Sequence, residues 1–422
     1  MRKRLSFLAV LGGVVACSCV AAVFSSAATA SGKLAAKPSG SVSILWPTSI
    51  APPMQAIVTR FEKVYPKVHV VLDQVPAQSI QTVLGPEVAG GNPPDIAYTC
   101  AGAEAPYCLG ALDPRGSNEL SSLSGPWTAG IAATVANPMK VGGKWYGAPL
   151  GVGPEGLFYN KAIFSSLHLK VPMLFSQLLS DCKKIAATGK TPIASEAPIS
   201  TTSYFFDTMS SHLVFYSDPS WIKQKLAGKV SFASSPGWHQ VVQDWVTMKN
   251  DKCFSADAAS ESPSEAVSTI ASGTAAMVID SSNDYSGYTG ANPKLKLGFF
   301  SMPGTSLKQR VMTFGEIFNL DVFKRGGNQT AAKAFINFIE EPVENKYFDK
   351  LLSAVSLSDL ASDNLPSWMP TVKADAKVRL MAQPSSNYPG VTWVTGACPS
   401  LESLLTGQET VAQQLATMDK DF

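Results

Sequence analysis

The sequence predicts an α/β protein built as two halves that share one chain. Three observations carry this: an opening strand–helix–strand–helix–strand series, a glycine-rich stretch that closes it, and a more helical remainder. The length of 422 residues suits two domains of ordinary size. With 45% hydrophobic and 16% charged residues, the chain has ample material for packed cores.

The elements follow in order. Val42-Ser43-Ile44-Leu45-Trp46 is a β-rich run ended by Pro47. Met54, Ile57, Val58, Phe61 and Tyr65 recur at helical spacing up to Pro66. Val68 to Val75 reads as a second strand. Ile80, Val83, Leu84 and Val88 form another apolar stripe, which Pro86 is expected to cut short. Gly90-Gly91-Asn92-Pro93-Pro94 is a turn before the short strand Asp95 to Tyr98. Past the glycine-rich stretch, Phe175, Leu178, Leu179, Cys182 and Ile185 line one helical face, and Trp238, Val241, Val242, Trp245 and Met248 another. Strands at Ala275 to Asp280 and Leu295 to Met302 follow, then helices marked by Ala331, Ala334, Phe335 and Phe338 and by Val411, Leu415 and Met418. No internal repeat is present.

The first thirty residues read as an export signal. Arg2, Lys3 and Arg4 precede an uncharged run from Leu5 to Phe24. Ala28-Thr29-Ala30 fits a cleavage site before Ser31, whereas Val14-Val15-Ala16-Cys17 resembles a lipobox that would place lipid on Cys17; both remain open. Residues 31–41 are small and polar, as in a tether. Without residues 1–30 the chain holds 31 basic and 32 acidic residues, and no basic block, which argues against nucleic acid as a partner.

Five cysteines follow position 30, and an oxidising compartment favours at least one bridge. Cys100 and Cys108 are near enough in sequence to close a small loop. Cys182, on a helical face, and Cys253, just after another helix, can staple neighbours. Cys398 is left over or replaces either of that pair.

Motifs of enzyme chemistry are missing. Gly151-Val152-Gly153-Pro154-Glu155-Gly156 spells G-x-G-x-x-G, but a strand-like Leu157-Phe158-Tyr159 follows where a nucleotide site needs a helix, and Pro154 removes an amide. The four histidines, His69, His168, His212 and His239, show no ligand spacing. No metal, cofactor or catalytic residue is expected. What stands out is aromatic residues in stretches that read as irregular or at strand ends: Trp46, Tyr98, Tyr107, Tyr204-Phe205-Phe206 and Trp393. Such rings either fill a core or stack on sugar faces at the carboxyl ends of strands.

An ordered series of motifs resembles the family-1 extracellular solute-binding proteins of bacterial ABC importers, the class of maltose-binding protein. Gly90 to Ile96 resembles a G-x-x-P-D-[IV] element. Trp145-Tyr146-Gly147-Ala148-Pro149 through Leu157-Phe158-Tyr159-Asn160-Lys161 resembles the crossover. Gly273 to Ile279 resembles a G-x-A-A-M strand, Gly298 to Pro303 the returning strand, Ala331 to Phe338 a later helix, and Leu404-Leu405-Thr406-Gly407 the terminal turn. The resemblance implies a type II periplasmic-binding-protein fold of two lobes, each a mixed sheet wrapped by helices, with the ligand cleft between them. It implies lobe I over 42–149 plus 304–352 and lobe II over 150–303 plus 353–422. It implies a monomeric, non-enzymatic component that captures a sugar or oligosaccharide and delivers it to permease subunits. The alternatives are a non-sugar solute (amino-acid-derived, polyamine or ferric) and, distantly, a secreted glycoside hydrolase. By strand-end matching it implies ligand contacts at Trp46, Thr48, Tyr98, Thr99, Glu155, Asp280, Ser281, Asn283 and Glu316; Tyr204 and Trp393 join them as aromatic candidates. The Asp280 to Tyr285 loop lacks the Gly and Trp of many relatives, which favours hydrogen bonding there over stacking. Mass spectrometry of the native N-terminus separates the two export readings: an unmodified Ser31 excludes the lipobox, and a lipid-bearing Cys17 establishes it.

Overall fold

Gly40–Pro47 forms β1, which pairs in parallel with β2 (Val68–Val75) on one side and β3 (Ile96–Thr99) on the other. The computed structural model describes residues 37–76, 79–99, 116–129, 131, 133–196, 200–356, 359, 365–369, 379–387 and 398–421. The pairing of Gly40 and Ser41 with Val68 and His69 puts the last two residues of the expected tether inside a strand. Asp95, at the head of β3, explains the Pro-Asp element. Its carboxylate accepts from Ser43 N at 2.9 Å and from Asn328 N at 2.5 Å, tying β1 and β3 to the start of the Gln329–Ile339 helix.

A two-strand hairpin, β4 (Lys140–Val141) and β5 (Lys144–Trp145), precedes β6 (Gly147–Asn160). All fourteen residues of β6 are buried, as befits a strand covered on both faces. Its sequence is correspondingly apolar and glycine-rich. The later strands are β7 (Thr191–Ala194), β8 (Ala275–Ser281), β9 (Leu297–Ser301), β10 (Val311–Val322) and β11 (Arg379–Ala382). The sheet runs β2-β1-β3-β10-β6-β8-β7, with β11 on β10 and β9 on β6. Partners change along β6: Gly147 to Pro154 pair with β10, Glu155 to Tyr159 with β8, and Gly156 to Asn160 with β9. β6 therefore belongs to both halves. It ends in a helix because the Asn160 side chain accepts from Ala162 N and Ile163 N, capping Lys161–Ser166.

Two expectations about local structure are corrected. The Ile80–Gly90 helix continues through Pro86, which is exposed, so the carbonyl that loses its amide partner faces water. Tyr204-Phe205-Phe206 is not irregular but lies in the Ser200–Ser210 helix, with Phe205 packed at 4.9 Å and tilted against Trp245. The small polar residues around it do not oppose a helix once its apolar face is buried.

Around β1, Trp46, Phe61, Phe335 and Phe348 form one core; Phe61 meets Phe335 edge-on at 5.0 Å. Around β7 and β8 a second core gathers Phe205, Trp238 and Trp245. Among the described residues no helix is long and apolar enough to cross a membrane.

Cys182 and Cys253 form a disulfide with 4.9 Å between their Cα atoms and a sequence separation of 71. The Cys253 carbonyl accepts from Ile193 N at 2.9 Å, so the bridge anchors β7 to the Phe175–Ala186 helix. Cys100 and Cys108 lie outside the described residues, and so does the lipobox Cys17; Cys398 begins the Cys398–Thr406 helix. Closing a loop of that length is worth about 4 kcal/mol in a chain-entropy account. Cys182→Ser with Cys253→Ser is expected to lower the melting temperature by several degrees in calorimetry, with reductant then having no further effect on this bridge.

Candidate ligand-binding site

Directly opposed residues of an antiparallel pair share a sheet face. Gly153 opposes Gly315, and Glu155 opposes Ser281. Thr313, two residues from Gly315, lies on the same face. The glycines are there for space. A Cβ on Gly153 would collide with Ser281 Oγ and Asn283 Nδ2, one on Gly315 with Glu155 and Gln383, and one on Gly151 with Asp349. Polar side chains from β6, β8, the turn after it, the Gln383 segment and the Pro342–Leu352 helix thus converge where β6 and β10 pass between the halves.

Several of these atoms have no hydrogen-bond partner among the described residues, although they are buried. They are Ser281 Oγ, Ser282 Oγ, both polar atoms of the Asn283 amide, Thr313 Oγ1 and both carboxyl oxygens of Asp349. Each such atom costs about 1–3 kcal/mol when left unpaired. Hydroxyls and an amide both donate and accept, so the set matches a ligand rich in hydroxyl groups.

The expected residues fall into three groups. Glu155, Ser281 and Asn283 are at the convergence point. Trp46 is instead a core residue, fully buried, with its Nε1 donating to the Ile50 carbonyl at 2.8 Å and Tyr98 edge-on at 5.3 Å. Thr99 is buried and accepts from Asn319 Nδ2 at 2.7 Å, and Thr48 is exposed in the Thr48–Ile50 turn. Asp280 points away from Ser281's hydroxyl: its carboxylate accepts from Ser281 N at 2.7 Å and faces the Tyr288 hydroxyl at 2.6 Å. Tyr204 is buried on its helix, which packs across β6 and β8. Glu316 sits where the β6–β10 register breaks, between Gly315 and Phe318, and Trp393 lies outside the described residues.

Sequence reasoning missed Thr313, for which only the strand register supplies a signal, and Asp349 and Gln383, which a helix and the segment after β11 bring in through tertiary packing. It also missed a ring pair: Tyr285 stacks on Trp368 at 4.4 Å, nearly parallel, and Trp368 packs on Phe158. Phe158 is on the opposite face of β6 from Glu155, so this stack braces the turn from behind. The stack lies on the side away from the convergence point, so it is an internal contact of the turn and not a surface for ligand.

Carboxyl groups nearby are unusually basic. Burial pushes Asp321 up to about 8 against the hydrogen bonds from Thr99 and Asn319, and Asp207 up to about 7 against those from Ser385.

Against this geometry stand the comparisons. Residues 47–346 match the family described as bacterial extracellular solute-binding protein. The chain belongs to that family. It is 22% identical over 333 residues to the multiple sugar-binding protein of Streptococcus mutans, covering 76% of each. The fold matches the apo form of RafE from Streptococcus pneumoniae with a TM-score of 0.72 at 17% identity, covering 91% of this chain and 98% of that one. It matches a sugar transporter from Bacillus licheniformis, solved with stachyose, with a TM-score of 0.71 at 17% identity, covering 91% and 99%. The architecture is the two-lobed α/β fold of such proteins.

Retained protons make stability depend on pH. A carboxyl whose folded pKa is raised keeps its proton folded and releases it on unfolding, so its contribution is complete below the ordinary carboxylate pKa and is lost as pH rises through the folded value. For Asp207 and Asp321 that window runs from about 4 to about 7 and 8. The melting temperature is expected to be higher at pH 5 than at pH 8.5, and Asp321→Asn is expected to flatten the difference.

Proposed function

We propose that the chain captures a sugar or oligosaccharide between its lobes and passes it to the permease of an ABC importer. The carrying observation is the set of buried, unpartnered hydroxyl, amide and carboxyl groups over the glycine floor of β6. Relatives of this fold support the ligand class: RafE was solved with raffinose, the Bacillus licheniformis protein with stachyose, and another is a chitin oligosaccharide binding protein.

In this reading Asn283, Ser281 and Thr313 exchange hydrogen bonds with ligand hydroxyls, and Asp349 accepts from one. Glu155 borders the same floor. Lobe I is taken as 42–149 with 304–352 and lobe II as 150–303 with 353–422. Ligand contacts from both lobes favour the closed arrangement over the open one, by differential affinity alone. No bond is made or broken. The first thirty residues direct export, with either Cys17 or Ser31 as the mature N-terminus, and the chain works as a monomer.

A thermal-shift panel of raffinose, stachyose, chitin oligosaccharides, spermidine and a ferric salt tests this. One sugar is expected to raise the melting temperature, since ligand at a hundredfold excess over Kd stabilises by about 2.7 kcal/mol. Asn283→Ala should weaken that sugar at least tenfold in calorimetry. A shift with spermidine or the ferric salt and none with any sugar would replace the ligand class.

A further inference from the structure

We propose that Asp280, Tyr288 and Glu196 hold one carboxyl proton between them at neutral pH, and that this proton fixes the Ser281–Asn283 turn from behind. The argument is a count of hydrogens. Tyr288 Oη lies 2.6 Å from Asp280 Oδ2 and 2.8 Å from Glu196 Oε1. Two oxygen–oxygen contacts that short each need a hydrogen between them. The phenol brings one, so the other sits on a carboxyl group.

Sharing the single phenolic hydrogen between two carboxylates would bring two negative charges together where all three residues are buried. The described strands and helices around them bring no cationic side chain to offset such charge. β6, β7, β8 and the Ser200–Ser210, Pro263–Ser272 and Tyr285–Ala291 helices contain no lysine or arginine. Their charged residues are Glu155, Asp207, Glu265 and Asp280, and Glu196, Glu261 and Asp284 lie in the adjoining turns, all acidic. Asp284 and Glu196 face the Asp280 carboxyl most directly. Burial first, and then these two neighbours, hold that carboxyl well above its ordinary range.

The consequence reaches the turn through one bond. Asp280 Oδ1 accepts from Ser281 N at 2.7 Å, while Ser281 Oγ and the Asn283 amide lie over Gly153. Asp280 is thus a positioning residue. When the shared proton leaves, the two carboxylates repel, and the acceptor that orients Ser281 moves with them. The proposal rests on the sugar-binding reading only for what the turn touches.

The test uses the purified ligand-free chain, so its failure is distinct from a failure to bind sugar. Asp280→Asn and Glu196→Gln each supply the missing hydrogen permanently, because the new amide donates to Tyr288 Oη while the phenol donates to the remaining carboxylate. Both variants are expected to show a shallower fall of melting temperature between pH 5 and 9 than the parent. Infrared difference spectra at pH 7 should show one protonated carboxyl fewer in each. Protection of the Ser281 amide from exchange should drop at least tenfold between pH 6 and 9 in the parent and stay level in Glu196→Gln. Tyr288→Phe should lose most stability at the alkaline end. Should Asp280→Asn fail to fold, Glu196→Gln carries every readout. A parental pH slope and an unchanged protonated-carboxyl band in Glu196→Gln would overturn the proposal.

Discussion

One strand that must satisfy two sheets governs this molecule. β6 gives its first eight residues to β10 and its last six to β8 and β9, with every residue buried. Both faces of such a strand need cover, which forces an apolar composition. At the joint, three glycines leave room for side chains from β6 itself, β8, the turn after it, the Gln383 segment and the Pro342–Leu352 helix. The site is therefore a by-product of crowding at a crossover. Polar groups arrive from several directions, and the backbone contributes emptiness.

Much of the architecture was readable because it rests on local periodicity. The stripes at Met54 to Phe61 and Trp238 to Met248 are helices, and the run at Ala275 is a strand, since burial selects those spacings. The pairing of Cys182 with Cys253 was one of the alternatives their placement against helices allowed, with Cys398 able to replace either, and it is the one the structure shows. Where the reading failed, the missing information was tertiary. Trp46 ends a strand, as does Tyr98, and sequence cannot say that the indole faces inward and donates to Ile50. The Tyr204 segment looked irregular because small polar residues surround it, yet contact with Trp245 outweighs that preference. Asp349 joins the site across about two hundred residues of chain, by packing of its helix against β6 that no motif encodes.

Acidic groups are distributed with a bias. The ion pairs lie toward the surface: in Arg60 with Glu344 the arginine is partly exposed and the glutamate buried, and in Lys225 with Asp419 both are partly exposed. The inner carboxyls, Asp280, Asp321 and Asp349, have no cation in contact among the described residues. Surface pairs of this kind contribute little to stability. The inner groups instead impose cost unless neutral or completed, which makes the centre of the molecule sensitive to solution conditions and to ligand while its exterior is tolerant.

The pairing of β3 with β10 has a consequence for how the molecule comes into being. Asn319 reaches Thr99 across 220 residues, so the opening sheet lacks its central neighbour until three quarters of the chain is available. Contacts of that range are slow to form. A polypeptide arranged this way stays pliable through most of its synthesis, and condenses only once about three quarters of its length is present.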